Sequence, residues 1–273
     1  MHDITYRPLT SLDDFRAVVD MEKVVWGYSD AEDVVPVPIL TVTVKRGGIL
    51  IGAFDGDRMI GFVYSLAGIK DGKPTAWSHM LGVLDEFRNA GVGHRLKLLQ
   101  RERALEMGLE LLEWTYDPMQ AMNAHLNFSK LGIVVDEYEE NIYGESSSLL
   151  HKGNPTDRFV AEWWIREDRV ARRLAGEAPL ASALTIEPAN RTTPAGEWLE
   201  PAAIDLTLDA RRVAVEIPTG FTEMLSKAPD LALEWRMATR ELFTTYLGRG
   251  YRIVEFFLDR PSRRGSYLLT KKS

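Results

Sequence analysis

The chain has 273 residues, 45% hydrophobic and 27% charged, a composition that suits a globular protein of one large domain or two ordinary ones. A formal charge of -7 disfavours nucleic acid and anionic membrane surfaces as partners, and zero cysteines exclude disulfides, a thiol nucleophile and thiolate metal sites. The five histidines show no H-x-x-x-H spacing, so no metal is expected. No apolar run approaches the roughly 20 residues of a membrane span. The start MHDITYRPLT lacks the basic end and apolar stretch of a signal peptide, which reads as a cytoplasmic protein.

In chain order, ITYRPLT (Ile4 to Thr10) reads as an edge strand, and Ser11-Leu-Asp-Asp followed by Phe15, Val18, Val19 and Glu22 reads as a capped helix. VVPVPIL (Val34 to Leu40), with two prolines, is expected to be irregular. GILIGAFD, a turn at Asp55-Gly56-Asp57-Arg58 and MIGFVYSLAG form a hairpin. A turn at Asp71-Gly72-Lys73-Pro74 then leads into TAWSHMLGVL, so three antiparallel strands follow one another.

That third strand runs into FRNAGVGHRL (Phe87 to Leu96), an arginine and two closely spaced glycines ahead of a helix from about Val92 to Met107. Glycines remove side chains where a backbone turns tightly or approaches something large, and a helix N-terminus favours an anion. Arg88, Arg95, Lys97, Arg101 and Arg103 stand against the single acid Glu102, a basic island in an acidic chain. The island is either a solvated helix face or a site for a compact polyanion such as a phosphorylated cofactor.

Gly108 ends the helix, LELLEWTY is an apolar strand, and a short helix begins at Asp117-Pro118 and closes at Leu131-Gly132 before the strand IVVDEYEENIY. Residues 144–157, rich in Ser, Gly and Pro, read as a linker or exposed loop, and the chain is divided there into domains 1–150 and 151–273. Beyond it come DRFVAEWWI, a helix from about Asp168, a Pro- and Thr-rich connection near 187–202, VAVEIP, a helix around Leu231 to Leu247 and GYRIVEFFLD. GLELLEWTYD (Gly108 to Asp117) and GYRIVEFFLD (Gly250 to Asp259) share glycine, glutamate and aspartate at matching places after a helix. The second half therefore reads either as a degenerate copy that has lost the glycine loop or as unrelated buried strands.

Arg88-Asn89-Ala90-Gly91-Val92-Gly93 resembles the R-x-x-G-x-G/A signature of the GNAT acyltransferases, and its setting between an antiparallel strand and a helix is similar to theirs. Val83 precedes Arg88 as in the family's fourth strand, and NAHLNFSKLGI (Asn123 to Ile133) resembles a further family segment, so the resemblance covers about residues 4–143. It implies an α/β (α+β) GNAT fold, a central, mostly antiparallel mixed sheet flanked by helices, with an added C-terminal α/β half.

The resemblance further implies acetyl-CoA or another acyl-CoA as cosubstrate. Backbone N–H groups of Arg88 to Gly93 would wrap the pyrophosphate, the edge of Leu81, Gly82 and Val83 would pair with pantetheine, and Asn123 would contact the cofactor. Phe128 stands beside the cofactor where the family often has a tyrosine that protonates the thiolate; phenylalanine has no proton to give, although a thiol of pKa about 8.5 already leaves tolerably. Tyr116 is the alternative donor, or a core tyrosine. Asp85 replaces the usual proline of the turn.

An ammonium cannot attack a thioester, so a base is required. Alternation along TAWSHMLGVL places Trp77, His79, Leu81 and Val83 on one face, and the resemblance turns that face toward the acceptor; His79 is the expected base, or a core histidine. The implied activity is transfer of an acetyl or succinyl group to a small amine such as an amino acid, with Trp163, Trp164 and Trp235 as pocket or core residues and a homodimer left open. The alternative is a non-catalytic acyl-CoA-binding or scaffold module. A Rossmann dinucleotide site does not fit, because Leu96 stands where the third glycine would be.

Overall fold

A computed structural model of the chain describes residues 3–28, 33–144, 153–177 and 186–272. They pack as two compact units, one built up to Trp114 and the other from Thr115 onward.

The first unit opens with β1 (Ile4–Pro8) and α1 (Leu12–Trp26). The capping box expected at Ser11 forms: the Asp14 N–H donates to Ser11 Oγ at 3.1 Å and the Ser11 N–H to Asp14 Oδ2 at 3.0 Å. Against the expectation of irregular chain, Val37–Lys45 is a helix, α2, entered through Pro36 as its cap. Pro38 is tolerated because it lies in the first turn, where the missing N–H would have had no intrahelical partner. The strands β2 (Ile49–Asp55), β3 (Arg58–Lys70) and β4 (Lys73–Val83) then form antiparallel hairpins, with β1 pairing on the outer side of β2.

A single helical turn at Asp85–Phe87 leads to α3 (Val92–Glu106), and β5 (Leu111–Tyr116) returns parallel to β4. This order, β1-β2-β3-β4-β5 with α3 between the last two strands, is the one the GNAT resemblance implies. On α3 the buried positions Val92, Leu96, Gln100 and Ala104 recur every four residues, an inward stripe that includes the polar Gln100.

In the second unit, α4 (Ala121–Ala124) continues as a wider π-helical turn over His125–Leu131, closed by Gly132 in the left-handed region. The hairpin β6 (Val134–Glu139) and β7 (Arg158–Trp164) follows, then α5 (Asp168–Leu174). The stretch near 187–202, expected to be a connection, is strand: β8 (Glu187–Pro188), β9 (Asn190–Ala195) and β10 (Trp198–Ile204), the last two a separate ribbon. β11 (Arg212–Pro218), α6 (Phe221–Lys227), α7 (Pro229–Gly248), β12 (Tyr251–Asp259) and β13 (Arg264–Lys271) complete the chain, in a sheet ordered β7-β6-β12-β13-β11-β8. Its core is aromatic: Phe159 meets Phe243 edge-on at 4.6 Å, and Tyr267 lies 4.7 Å from Phe256 and 5.9 Å from Phe128.

Two sequence expectations change here. Residues 115–144, assigned to a first domain ending at 150, belong to the second compact unit, because β6 pairs with β7 and β12 and Phe128 joins the aromatic core. Residues 145–152 of the expected linker lie outside the described residues, but at its end Thr156 and Asp157 are buried, with Tyr138 and Arg240 donating to the Asp157 carboxylate. That end is anchored, not loose.

Candidate functional site

β3 and β4 pair continuously except at one point: Tyr64 faces Met80, yet the next residue, Ser65, faces Ser78. His79 is therefore the extra residue of a β-bulge, a device that re-aims a side chain. The bulge breaks the expected alternation. Leu81 and Val83 point toward α3, where a Cβ on Gly93 would lie 3.8 and 3.7 Å from their methyl groups. The residue between them, Gly82, lies on the opposite face, against Trp26 at the end of α1. His79 sits edge-on to Tyr64 at 6.1 Å, and Tyr64 in turn donates to Thr43 Oγ1 of α2 at 2.9 Å. His79 thus faces the α1 and α2 side, not the side of Leu81 and Val83.

The bulge is pinned from beneath. Gln100 Nε2 of α3 donates to Ser65 Oγ at 2.6 Å and to Ser78 Oγ at 2.9 Å, while Lys97 Nζ donates to Ser78 Oγ at 3.2 Å and lies 3.5 Å above the Trp114 ring. Lys97 is buried, and that burial holds its ammonium well below the usual lysine pKa. It belongs to this network and not to an exposed basic island. The other members are mostly paired: Arg88 with Asp85 at 2.8 Å, Arg95 with Glu102 at 3.3 Å and Arg103 with Glu106 at 2.8 Å.

Past β4, the Leu84 N–H donates to the Ile60 carbonyl and the Arg88 N–H to the Asp85 carbonyl, so the Arg88 donor expected to face a phosphate is already used. Asn89 and Gly91 have φ of +63° and +83°, and Asn89, Ala90 and Gly91 are exposed. Gly91 caps α3 with no side-chain hydrogen bond, so the first-turn N–H groups, including those of Val92 and Gly93, point outward uncapped. A Cβ on Gly91 would meet nothing within 4 Å, and one on Gly93 only ordinary contacts. Internal packing therefore does not demand the glycine pair; Gly91 answers to its backbone angle, and both keep the surface clear outside the loop.

β4 and β5 stay registered only at Ala76–Leu112 and Trp77–Glu113. Among the described residues the β5-side edge of 78–83 has no strand partner, which leaves Leu81, Gly82 and Val83 able to accept an extended amide chain as an added strand. The structure thus gathers Leu81, Gly82, Val83, Asn89, Ala90, Gly91, Val92 and Gly93 along one strand end and helix start, with His79 at the bulge of the same strand.

The remaining predicted residues lie in the second unit. Asn123 is exposed on α4. Phe128, expected beside the cofactor, is 0% exposed and packs on Tyr267, which makes it a core ring with no surface to offer a ligand. Tyr116 is buried, its hydroxyl has no well-formed hydrogen bond among the described residues, and burial pushes its pKa well above 10.0, the wrong direction for a proton donor. The neighbouring Tyr267 hydroxyl is committed to the Pro118 carbonyl at 2.7 Å. Trp163 and Trp235 are wholly buried, each indole N–H donating at 2.7 Å to a backbone carbonyl, of Leu131 and Leu199 respectively.

Sequence reasoning passed over Glu22 except as a helix-face residue. It is 0% exposed on α1; one carboxylate oxygen accepts the Val35 N–H at 2.7 Å and the other has no partner among the described residues. Burial raises its pKa to about 7 against the lowering effects of the Val35 hydrogen bond and Lys23. An acid within an apolar helix stripe, at the position of Glu22 between Val18 and Trp26, was the available signal.

No family model and no curated protein matches the sequence. Among solved structures, the chain is similar to the ribosomal-protein-S18-alanine N-acetyltransferase from Escherichia coli, at 14% identity over 59% of this chain and 94% of that one with a TM-score of 0.47. It is similar also to an acetyltransferase of the GNAT family from Streptococcus pneumoniae (16% identity, 59% and 98% covered, TM-score 0.46). A third is the PaiA N-acetyltransferase from Thermoplasma acidophilum in complex with coenzyme A (16% identity, 59% and 98% covered, TM-score 0.42).

Proposed function

We propose that this chain, whose first unit carries the GNAT order of elements and its glycine loop, is an acyl-CoA-dependent N-acyltransferase. The observation that carries the reading is the pairing of an uncapped α3 N-terminus, entered through a left-handed Gly91, with an unpaired edge on β4. A pyrophosphate fits the former, since outward N–H groups and the helix dipole both favour an anion. Pantetheine amides fit the latter. Val92, Gly93 and the loop Asn89 to Gly91 would hold the phosphates, and Leu81, Gly82 and Val83 the pantetheine arm.

The acyl group, acetyl or succinyl, would pass to the amine of a small molecule such as an amino acid by direct attack in a ternary complex. The amine nitrogen bonds to the thioester carbon, the carbon–sulfur bond breaks, and the thiolate leaves and is protonated. N–H groups of β4 near the bulge would stabilise the oxyanion. His79 would serve as base: its ring is accessible but flanked by protein, which disfavours the imidazolium and lowers its pKa below 6.5, so the neutral form predominates at neutral pH.

Calorimetric titration with acetyl-CoA and succinyl-CoA, alongside an Arg88→Glu, Gly91→Asp double variant, tests the reading. Micromolar binding that disappears in the variant is expected, with the tighter thioester naming the acyl group. A second reading, an acyl-CoA-binding or scaffold module without chemistry, is favoured by the burial of Phe128 and the raised pKa of Tyr116, which leave no evident acid for the thiolate. Absence of binding at millimolar ligand leaves only the scaffold.

A further inference from the structure

In the second unit, the pairing of β6, β12, β13 and β11 sets one row of side chains across the sheet. Ile253 pairs with Val135, which puts Arg252 of β12 beside Asp136 of β6, and Arg252 pairs in turn with Thr270 of β13. Directly paired residues share a face, so Arg252 and Thr270 stand opposite the face of Tyr251 and Ile253, whose side chains are wholly buried. Arg212 of β11 pairs with Thr270 from its other side and is exposed, and alternation returns Lys272 to the same face. The Asp136 carboxylate accepts from Arg252 Nε at 2.9 Å and from its Nη2, and Lys272 Nζ lies 2.9 Å from it. One carboxylate thus fixes two cations beside an open cavity of about 310 Å³, lined by Arg252, Val254, Thr270, Lys271 and Lys272. Val254 is the extra residue of a bulge in β12, between Ile253 and Glu255, and the Lys271 ammonium is taken by Asp209.

We propose that this cavity binds the phosphate group of a small phosphate monoester, at a site separate from the α3 loop and independent of the acyltransferase reading. Arg212, Arg252 and Lys272 flank Thr270, and among the described residues Asp136 is the carboxylate in direct contact with Arg252 and Lys272. Glu162 and Glu167 reach Arg252 only as more distant charges. Like charges gathered on neighbouring strands repel one another until an anion joins them. A phosphate monoester carries about -1.5 to -2 charges at neutral pH and three acceptor oxygens, which suits three cations met by one acid. Asp136 occupies the Nε and Nη2 side of the Arg252 guanidinium, which leaves Nη1 for one oxygen, while the Thr270 hydroxyl and the Lys272 ammonium would donate to the others. A carboxylate, with two oxygens and a single charge, would leave a donor and a cation unmet. The cavity lies at the lower end of the roughly 300–1,000 Å³ of ligand pockets, so the organic remainder of the ester is small.

Because the α3 N-terminus also suits an anion, the test uses the Arg88→Glu, Gly91→Asp double variant beside the wild type. Glycerol 3-phosphate and succinate are titrated by calorimetry at fixed ionic strength. Glycerol 3-phosphate is expected to bind the double variant at one site. Adding Arg252→Gln or Arg212→Gln should weaken that binding roughly tenfold each, and Asp136→Asn, which removes the competing carboxylate, should tighten it by a similar factor. Arg212 is exposed and the Asp136 change gains affinity, so neither result can come from a variant that fails to fold. No binding to the double variant would overturn the proposal, as would a site that Arg212→Gln and Asp136→Asn leave unchanged, or succinate bound as tightly as glycerol 3-phosphate. None of these residues belongs to the α3 loop, so loss of acyl-CoA binding and loss of this site are separate results.

Discussion

At the scale of single residues, titratable groups around β4 set the pH behaviour. His79 has its pKa lowered by desolvation, so its base form is favoured at neutral pH and is lost as the solution is acidified. His79→Ala is expected to lower kcat by on the order of 100-fold while acetyl-CoA affinity, read by calorimetry, stays unchanged. Unaltered turnover would remove His79 from the chemistry. Glu22 has the opposite sign. Its folded pKa, about 7, lies above the ordinary 4.5, so relative to Gln the wild type is most stable below 4.5, loses stability as pH rises between those values, and is level above. A tenfold change in proton affinity is worth about 1.4 kcal/mol, so Glu22→Gln should gain roughly 3 kcal/mol more against wild type above the window than below it. Urea unfolding of both proteins across that range gives the comparison, and a flat difference would mean that Glu22 titrates normally.

Between residues and the whole fold stand the elements, and the bulge in β4 depends on one of them. Gln100 and Lys97 reach up from α3 to Ser65 and Ser78, the pair that brackets the bulge from its far side. Gln100→Leu leaves both hydroxyls buried without that donor and should cost about 1 to 3 kcal/mol by chemical denaturation. If the bulge positions His79, the variant should also lower kcat more than KM; loss of stability with kcat intact would make the network purely structural. The sequence pairs the strand at Gly108 to Asp117 with that at Gly250 to Asp259, and each closes a run of strand, helix, strand: β4, α3, β5 and then β11, α6 and α7, β12. The pairing differs between the two runs, since β5 lies parallel to β4 whereas β12 pairs antiparallel with β13 and, at Ile253–Val135, with β6.

Across the molecule, the net -7 counts the whole chain, and acids outnumber bases among the buried charged groups of the described residues as well; the second unit buries Arg236 against Asp117 in a two-pronged pair of 2.8 Å bonds, with Arg240 holding the buried Asp157. Despite its burial, the Asp117 pKa is held below normal by Arg236. Removing one partner strands the other, so Asp117→Ala should destabilise by about 3 to 5 kcal/mol, and adding Arg236→Met should recover part of that. Thermal unfolding of the single and double variants decides it; a single variant within about 0.5 kcal/mol of wild type would show the pair to be dispensable.

Local chemistry was legible from the sequence because it needs few residues: the Ser11 capping box, the hairpin turns at Gly56 and Gly72, and the arginine–glycine loop ahead of α3 all form as expected. The antiparallel strands ahead of that loop followed from turn chemistry and alternation. What the letters could not carry was anything set by a partner distant in the chain. Pro36 and Pro38 read as breakers until a first-turn position made them harmless. The period-2 reading of β4 failed because a bulge is defined by the strand opposite, here Tyr64 and Ser65, and one inserted residue reverses which face follows. Phe128 entered the site through the family resemblance and Tyr116 as the alternative donor in its place, yet Tyr267 packs against the one and Phe159 against the other. Glu22 passed as an ordinary helix residue. Its importance lies in what surrounds it, since burial is decided by the packing of the whole unit and a carboxyl taken out of water becomes a different acid.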